Sequence, residues 1–502
     1  MSNSELRQIT ATAFPSSAEL VLRDQSLAPI ERGIGRIKTS VPAGLYVLQT
    51  QIGARSVEKL LRVADADINI KRDELRLEIP SPTPTHGTST LNETHEEAAQ
   101  YLSQNPWRSV DPCLGRLLLM VRDIRGVKGR AVRPEDVDGV TLTDFNGDTI
   151  LDVAQAVRQV REDSQQQPLE TKGWIAFSAD LEPGTFVVRW PQPDSPSEST
   201  PRFIEQPIVI PSPGSTAMGD ETPWTVCIFI HRDPATKRLL HESTRVHLTP
   251  LPTGFHGWND ESIQINLALE SALTAVERGE PTAVVDLSRD DMQVLLRDKF
   301  SNPMLGIVGA HALLLRPQVN WSTFETVVNN LRRLVPGHPD VEALRAIGYS
   351  RRSADAGRSD IVIETPPMLA ASYRSIVDQE WAERGLIRPG SLAEKVAGRL
   401  INCGPWTMWT AASASPVDDL IELNLTGSRG HSARGGTARG GEPPVGIDAA
   451  VIARASRWLE GVRRWAESEG SDDLELRPEH LGHALGLPPV TAERVFDLLS
   501  QP

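Results

Sequence analysis

Histidine next to glutamate occurs in two short segments, and hydrolases use these residue types to hold zinc and activate water. The first segment, HESTRVH, spans His241–His247, and the second, THEEAAQ, spans Thr94–Gln100. Neither has the His-Glu-x-x-His spacing that places two imidazoles on one face of a helix. His247 alternates with apolar neighbours, which predicts a strand, and His311 lies within an apolar helix. We therefore predict no metal site in these segments.

The segment DFNGDTILD, Asp144–Asp152, carries carboxylates and an amide at alternate positions, as calcium-binding loops do. The EF-hand geometry also requires glycine at the sixth position and glutamate at the twelfth. Thr149 and Gln155 occupy those positions here. Asn146-Gly147, between two alternating runs, is instead a strong signal for a hairpin turn. The segment therefore predicts a turn rather than a metal site.

The chain contains three cysteines, Cys113, Cys227 and Cys403, a scattered set that predicts a reducing compartment and no disulfide framework. Cys227 lies within an apolar strand, where we expect a buried thiol. Cys403 follows a helix at a turn, but a catalytic thiolate needs a base within reach. The sequence contains neither a Gly-x-Ser-x-Gly elbow nor a phosphate-binding loop. We predict no catalytic residue and no cofactor, and a hydrolase with a dispersed site at Cys403 or His256 stays an alternative.

Four tryptophans are the candidates for contacts with a partner protein, because tryptophan is enriched where binding energy is concentrated. Trp406 and Trp409 lie in the cluster GPWTMW, whose alternative role is a packed corner between domains. Trp458 and Trp465 lie on one face of a strongly amphipathic helix over residues 449–469. Exposed rings at these positions would indicate a docking site.

Length and charge limit the classes of function. The chain has 502 residues, which is too long for one hydrophobic core and predicts about three to four domains. Its formal net charge of −14 argues against binding to nucleic acid or anionic lipid, since both require an excess of lysine and arginine. The N-terminus lacks a basic region followed by an apolar one, and the longest apolar run, residues 302–315, is too short for a bilayer. The sequence therefore predicts a cytoplasmic protein.

Two regions alternate polar and apolar residues in the manner of strands, and both predict antiparallel β-sandwich modules. We place the first module at residues 1–82, a linker and helix at 83–106, and the second module at 107–252. SVPAGLYVLQTQ (Ser40–Gln51) and DLEPGTFVVRWP (Asp180–Pro191) repeat one phrase, a proline-glycine corner that enters an outer strand. The phrase resembles a strand of carboxypeptidase-regulatory-like and transthyretin-type sandwiches. That resemblance implies modules that hold or present other molecules.

The second half of the chain changes to helical periodicity. We predict an α-helical domain at residues 255–350 and a helical extension at 360–424. An Arg-Gly-rich flexible linker at 425–447 leads to a C-terminal module at 448–502 that resembles a helix-turn-helix. That module has six arginines against ten acidic residues, a net charge of 6 − 10 = −4, and Glu493 lies on its second helix. Such a surface is unsuited to the DNA major groove, so we predict a protein-docking or structural module.

Together these patterns predict a multidomain α+β protein, with N-terminal antiparallel β-sandwich modules followed by α-helical domains. The predicted function is that of a non-catalytic cytosolic scaffold or adaptor. The segments DKFSNPMLGIVGAHALLL, LVPGHPDVEALRA, PPMLAASYRSIV and GPWTMW lie within residues 290–410. This region resembles uncharacterised bacterial proteins that accompany caspase-like peptidases in signalling or defence gene sets. The resemblance implies an accessory role with a caspase-like peptidase as partner. A nucleic-acid-binding transcriptional regulator and the dispersed-site hydrolase remain the alternatives.

Overall fold

The computed structural model of the chain combines two β-sandwiches with a set of helices, which confirms the predicted α+β class. It describes residues 6–13, 18–52, 55–71, 81, 97–103, 114–123, 133–163, 173–191, 203–215, 221–233, 235–251, 254–255, 260–279, 289–352, 361–382, 384–401, 404–411, 451–452, 455–459, 462 and 476–500. Within these ranges, no helix is both long enough and apolar enough to cross a bilayer.

The first sandwich is built from short strands whose alternate residues point into a small core. Its strands are β1 (Arg7–Thr12), β2 (Glu19–Arg23), β3 (Pro29–Ile34), β4 (Arg36–Val41), β5 (Gly44–Ile52), β6 (Arg55–Val63) and β7 (Ile68–Ile70). One sheet has the order β4-β1-β7 and the facing sheet has the order β3-β2-β5-β6. Leu20, Leu48 and Leu61 fill the space between the sheets, as the period-two pattern requires.

The second sandwich is larger and receives strands from two distant parts of the chain. Its strands are β8 (Gly115–Asp123), β9 (Thr141–Thr143), β10 (Thr149–Asp152), β11 (Trp174–Leu181), β12 (Gly184–Pro191), β13 (Phe203–Ile210), β14 (Gly214–Ser215), β15 (Glu221–Thr222), β16 (Trp224–Arg232), β17 (Leu239–Pro250), β18 (Leu400–Ile401) and β19 (Met408–Thr410). The two main sheets have the orders β11-β8-β16-β17 and β10-β9-β12-β13-β19-β18. The last two strands follow the helices in sequence, and β19 pairs antiparallel with β13. Part of the region predicted as a helical extension at 360–424 therefore forms two short strands that complete a sheet.

The two sandwiches repeat one topology. In the first sandwich, the edge strand β4 pairs antiparallel with β1, and β7 lies parallel to β1 on its other side. In the second sandwich, β11, β8 and β16 have the same arrangement. The facing sheets repeat as β3-β2-β5-β6 and β10-β9-β12-β13. Both Pro-Gly phrases therefore connect equivalent strands, which confirms the predicted repeat. The expectation that the corner enters an outer strand is wrong, because β5 and β12 each have a paired strand on both sides.

The helices pack in two groups, one on the core of the second sandwich and one around a second core nearer the C-terminus. They are α1 (Val153–Asp163), α2 (Asp260–Arg278), α3 (Arg289–Arg297), α4 (Pro303–Leu314), α5 (Trp321–Leu334), α6 (Pro339–Arg352), α7 (Ala370–Ala382), α8 (Leu392–Val396), α9 (Pro478–Leu485) and α10 (Pro489–Ser500). Helix α4 is buried on every side from Pro303 to Leu313, and Asn302 caps its N-terminus by accepting the N–H of Met304. Trp224 of the sandwich and Leu305 of this helix belong to the same hydrophobic core.

The C-terminal helix pair packs on a second core formed by α7 and α8. Leu481 of α9 and Val495 of α10 join Tyr373 and Ile376 of α7 in this core. Gly486 ends α9 with a positive φ of 66°, a conformation that glycine adopts without strain. The predicted sequence of helix, turn and helix is confirmed. The Arg-Gly-rich linker at 425–447 lies outside the described residues.

Candidate functional site

The fold brings together a serine, a histidine and an asparagine that are far apart in sequence. Ser81 Oγ lies 2.9 Å from Nε2 of His247, and Nδ1 of the same ring lies 3.1 Å from Nδ2 of Asn302. All three side chains are buried. This order of contacts is that of a nucleophile, a general base and the residue that orients the base. Sequence analysis predicted a strand for His247, which is confirmed, but did not detect the constellation.

The hydrogen bonds fix the histidine in the tautomer that cannot activate the serine. Asn302 Oδ1 accepts the backbone N–H groups of Leu248 and Met304, so its amide nitrogen is the atom that faces the ring. That nitrogen donates to Nδ1 of His247, and Nε2 therefore carries the ring proton and donates to Ser81. A general base needs its lone pair on the nitrogen that faces the serine. Burial also lowers the pKa of His247 to about 3. The constellation therefore stabilises the fold and does not generate a nucleophile.

A second buried network links helices α4, α6 and α7. Nε2 of His311 lies 2.8 Å from the hydroxyl of Ser372, which also hydrogen-bonds to Asp340. The carboxylate of Asp340 accepts the N–H groups of Met368 at 2.8 Å and Leu369 at 3.0 Å, just before α7 begins. Here the serine lies between the histidine and the aspartate, whereas a catalytic triad has the histidine in the middle. The network therefore joins three helices.

Burial sets the charge of this network. It raises the pKa of Asp340 to about 6 despite the hydrogen bonds that favour its ionised form. It lowers the pKa of His311 and of His338 to about 3, so both rings are neutral at physiological pH. At most 4% of any of these side chains and of Ser372 is exposed. A substrate therefore has no path to the serine hydroxyl in this conformation.

Buried charges elsewhere in the sandwich are paired with one another. Arg232 lies between Asp123, at 2.8 Å, and Asp136, at 2.6 Å. Arg245 of β17 contacts Glu270 of α2 at 2.6 Å. Each arginine meets its carboxylate inside the protein, where an unpaired charge would be strongly unfavourable. The ion pair of Arg232 with Asp123 joins β16 to β8, and that of Arg245 with Glu270 joins β17 to α2.

The tryptophan candidates fall into two groups. Trp406 and Trp409 are 0% and 1% exposed, and their Nε1 atoms donate to the carbonyl of Thr244 at 2.7 Å and to Glu205 at 2.6 Å. Rings buried in this way have no surface free for a partner, and their positions favour the packed-corner alternative. Trp458 is half-buried against the second core. Trp465 lies outside the described residues, so its role stays a prediction.

One of the three cysteines lies within the described residues. Cys227 is fully buried in β16, and burial raises the pKa of its thiol to about 12, as the prediction of an inert thiol requires. Cys113, Cys403 and His256 lie outside the described residues. The dispersed-site hydrolase that depends on the last two therefore stays a prediction.

The calcium-like segment forms the β9–β10 hairpin, which confirms the predicted turn. Asp144 Oδ1 accepts the N–H groups of Asn146 and Asp148 at 2.8 and 2.9 Å. Asp24 makes the same two bonds in the equivalent β2–β3 hairpin of the first sandwich. Because the repeat keeps the aspartate but has Ala28 where Asp148 stands, the aspartate serves the turn. In the described part of the chain, no three histidine, cysteine or acidic side chains are grouped as metal ligands.

The helix-turn-helix segment is docked on the rest of the protein. Glu493 of α10 forms an ion pair with Arg384, and Thr491 donates to Glu394 at 3.2 Å. Trp381 donates its Nε1 hydrogen to the carbonyl of Leu487 in the turn between the two helices at 2.9 Å. The start of the second helix, which would enter a DNA groove, therefore contacts α8 and the segment that follows α7.

The first sandwich exposes apolar side chains on the outward side of the sheet β3-β2-β5-β6. Leu45 and Leu60 are 45% and 69% exposed, and Val47 lies opposite Leu60 in the β5–β6 register. We call these three residues the outer face. Sequence analysis did not identify it, although Leu60-Leu61 carries a signal: two adjacent leucines in one strand must point to opposite sides. Contiguous exposed apolar residues on a sheet are typical of interaction surfaces.

Comparisons with known proteins leave the chain without an assigned family. No family model matches it, and no curated protein matches it. Among solved structures, it is similar to a leucine-rich repeat protein from Bacteroides thetaiotaomicron, with 12% identity over 41% of this chain and a TM-score of 0.12. The match covers 24% of that protein's length. A similarity of this size carries no argument about fold or function.

Proposed function

We propose that this protein is a non-catalytic cytoplasmic scaffold or adaptor that binds a partner protein through the outer face of its first sandwich. The observation that carries the proposal is the exposure of Leu45 and Leu60 beside Val47 on the outward side of the sheet. Burying an exposed leucine in an interface is favourable by about 1.5 to 3 kcal/mol, which is enough to make such residues binding determinants.

The chemistry of the described polar clusters supports a binding role. Ser81 faces a ring nitrogen that carries a proton, and Ser372 lies in a closed network. Both serines are engaged within the core and are at most 1% exposed. The docked C-terminal helix pair supports the same conclusion, because Glu493 contacts Arg384 of the chain itself. A caspase-like peptidase, implied by the sequence resemblance, is the first partner to test.

The proposal is tested by capturing partners with the full chain and with a variant of the outer face. We expect Leu45→Asp to reduce recovery of a specific partner at least about tenfold, since a charge replaces a contact residue of the interface. Phe145→Asp is the matched control, because Phe145 is 60% exposed on the β9–β10 hairpin of the second sandwich. Partners are identified by mass spectrometry after purification from the native host.

Two further measurements make the result decisive. Thermal unfolding of both variants should match that of the unchanged protein, because each residue is exposed. The captured partner, once purified, should bind the unchanged chain directly and bind Leu45→Asp more weakly. Equal recovery by the unchanged chain, Leu45→Asp and Phe145→Asp would refute the proposal.

A further inference from the structure

In the part of the chain that the structure describes, β6 is one of the two edge strands of the sheet β3-β2-β5-β6 in the first sandwich. Its residues pair with β5 on one side, from Val63 opposite Gly44 to Arg55 opposite Ile52. The sheet order β3-β2-β5-β6 ends at this strand within the described residues. An edge strand of nine residues presents a row of backbone donors and acceptors to which another strand can add.

The second sandwich shows what covers the equivalent edge. There the strand equivalent to β6 is β13, and β19 adds to it in antiparallel orientation at Ile204 and Glu205. When Gly44 is matched with Gly184, the strand registers place Val57 and Glu58 at these two positions. The repeated topology therefore accepts an antiparallel strand at this edge, and one copy of the module has received it from within the chain.

We propose that β6 pairs antiparallel with β6 of a second copy of this chain, about a two-fold axis through Leu60. Residues that oppose each other in an antiparallel pair lie on the same face, so Leu60 meets Leu60 of the other copy. Glu58 of each copy then faces Arg62 of the other, which gives two ion pairs around a central apolar contact. On the inner side, Val57 faces Val63. The strand is complementary to itself in this register.

Neighbouring registers lack the two ion pairs, and an axis through Leu61 would set Leu60 opposite Arg62. An axis through Glu58 would set two carboxylates opposite each other, and an axis through Lys59 would do the same with two ammonium groups. Like charges in directly opposed positions destabilise a sheet. Glu58 and Arg62 are exposed, and Leu60 is 69% exposed, so the pairing surface is accessible. A closed two-fold dimer uses the same patch on both copies, as this register requires.

The test measures the mass of the full chain in solution at low salt. The single chain has a mass of 55.0 kDa, and the dimer has twice this value. We expect Glu58→Arg and Arg62→Glu each to weaken dimerisation by about tenfold or more, because symmetry turns both ion pairs into like-charge contacts. The double variant Glu58→Arg/Arg62→Glu should restore the dimer, since it exchanges the charges. Arg36→Glu is the control for Arg62→Glu, because it makes the same charge change on β4, in the other sheet, and it should leave the dimer intact.

Sedimentation equilibrium over a range of concentrations distinguishes the outcomes. A monomer at every concentration, a dimer that survives both single reversals, or a double variant that stays monomeric would each overturn the inference. The inference shares a sandwich with the proposed function but is tested separately. Leu45→Ala removes apolar area from the outer face without placing a charge opposite Arg62, so loss of the partner with retention of the dimer separates the two, as does the reverse result.

Discussion

Four buried histidines whose pKa values are lowered make the stability of this protein depend steeply on pH. Burial lowers the pKa of His241 to about 4 and those of His247, His311 and His338 to about 3. In the unfolded chain each ring takes up a proton near pH 6.5, whereas the folded chain keeps it neutral. The unfolded state therefore binds more protons between pH 6.5 and about 4. The stabilisation is complete above pH 6.5 and is lost as the pH falls.

The size of the effect at pH 5.5 depends on the unfolded pKa alone, because the folded values lie well below that pH. One histidine then lowers the free energy of unfolding by about 1 to 2 kcal/mol relative to pH 8, and four lower it by about 6 kcal/mol. Asp340 acts in the opposite sense: its pKa is raised to about 6, so its folded state gains a proton as the pH falls. Protonation of Asp340 therefore raises the free energy of unfolding by about 1 kcal/mol at pH 5.5, and the net decrease from pH 8 is about 5 kcal/mol. Such a loss is comparable with the whole stability of many domains.

Urea unfolding followed by tryptophan fluorescence at pH 8 and pH 5.5 measures this loss directly, because Trp224 and Trp406 lie in the affected core. His311→Gln removes one titrating ring and should reduce the difference between the two pH values by about a quarter. An equal free energy of unfolding at both pH values would refute the reasoning. So would an unchanged difference in His311→Gln, since that ring would then not contribute.

Two further predictions concern packing and charge. Arg232→Met leaves Asp123 buried without its cation and should lower the free energy of unfolding by about 3 to 5 kcal/mol, whereas Arg158→Met at an exposed ion pair should cost less than about 1 kcal/mol. Urea unfolding of both variants checks the contrast, and equal losses would contradict it. Gly482→Ala would place a methyl group within 1.8 Å of the Trp381 ring, so we expect α9 and α10 to detach from α7. Hydrogen exchange over 478–500 measures this, and unchanged protection would contradict it.

The strands of both sandwiches could be predicted because their signals are local. Alternation placed both sandwich modules, and the Pro-Gly phrase marked equivalent corners at Gly44 and Gly184 before any pairing was known. The pairing itself has no local signal. β18 and β19 have two and three residues, which is too short for periodicity, and β19 exists because β13 offers an open edge.

The candidate site was less accessible from the sequence for a related reason. Ser81 and His247 are 166 positions apart, and Asn302 is a further 55 positions along the chain. No spacing rule joins such residues. The tryptophans gave the opposite difficulty, because a large aromatic residue indicates a core and an interface equally well. The burial of Trp406 and Trp409 favours a core position over an interface, and burial can be read only from the folded chain.

The duplicated sandwich explains how one topology can serve two roles in the same chain. The second copy is enclosed: β17 contacts α4, and β19 covers β13. Pro207 stands in β13 where Leu60 stands in β6, and proline has no N–H to offer to an added strand. The first copy keeps a backbone donor and an exposed leucine at that position. An enclosed module supports the helices, and the module with the free edge is therefore the one suited to binding a second protein chain.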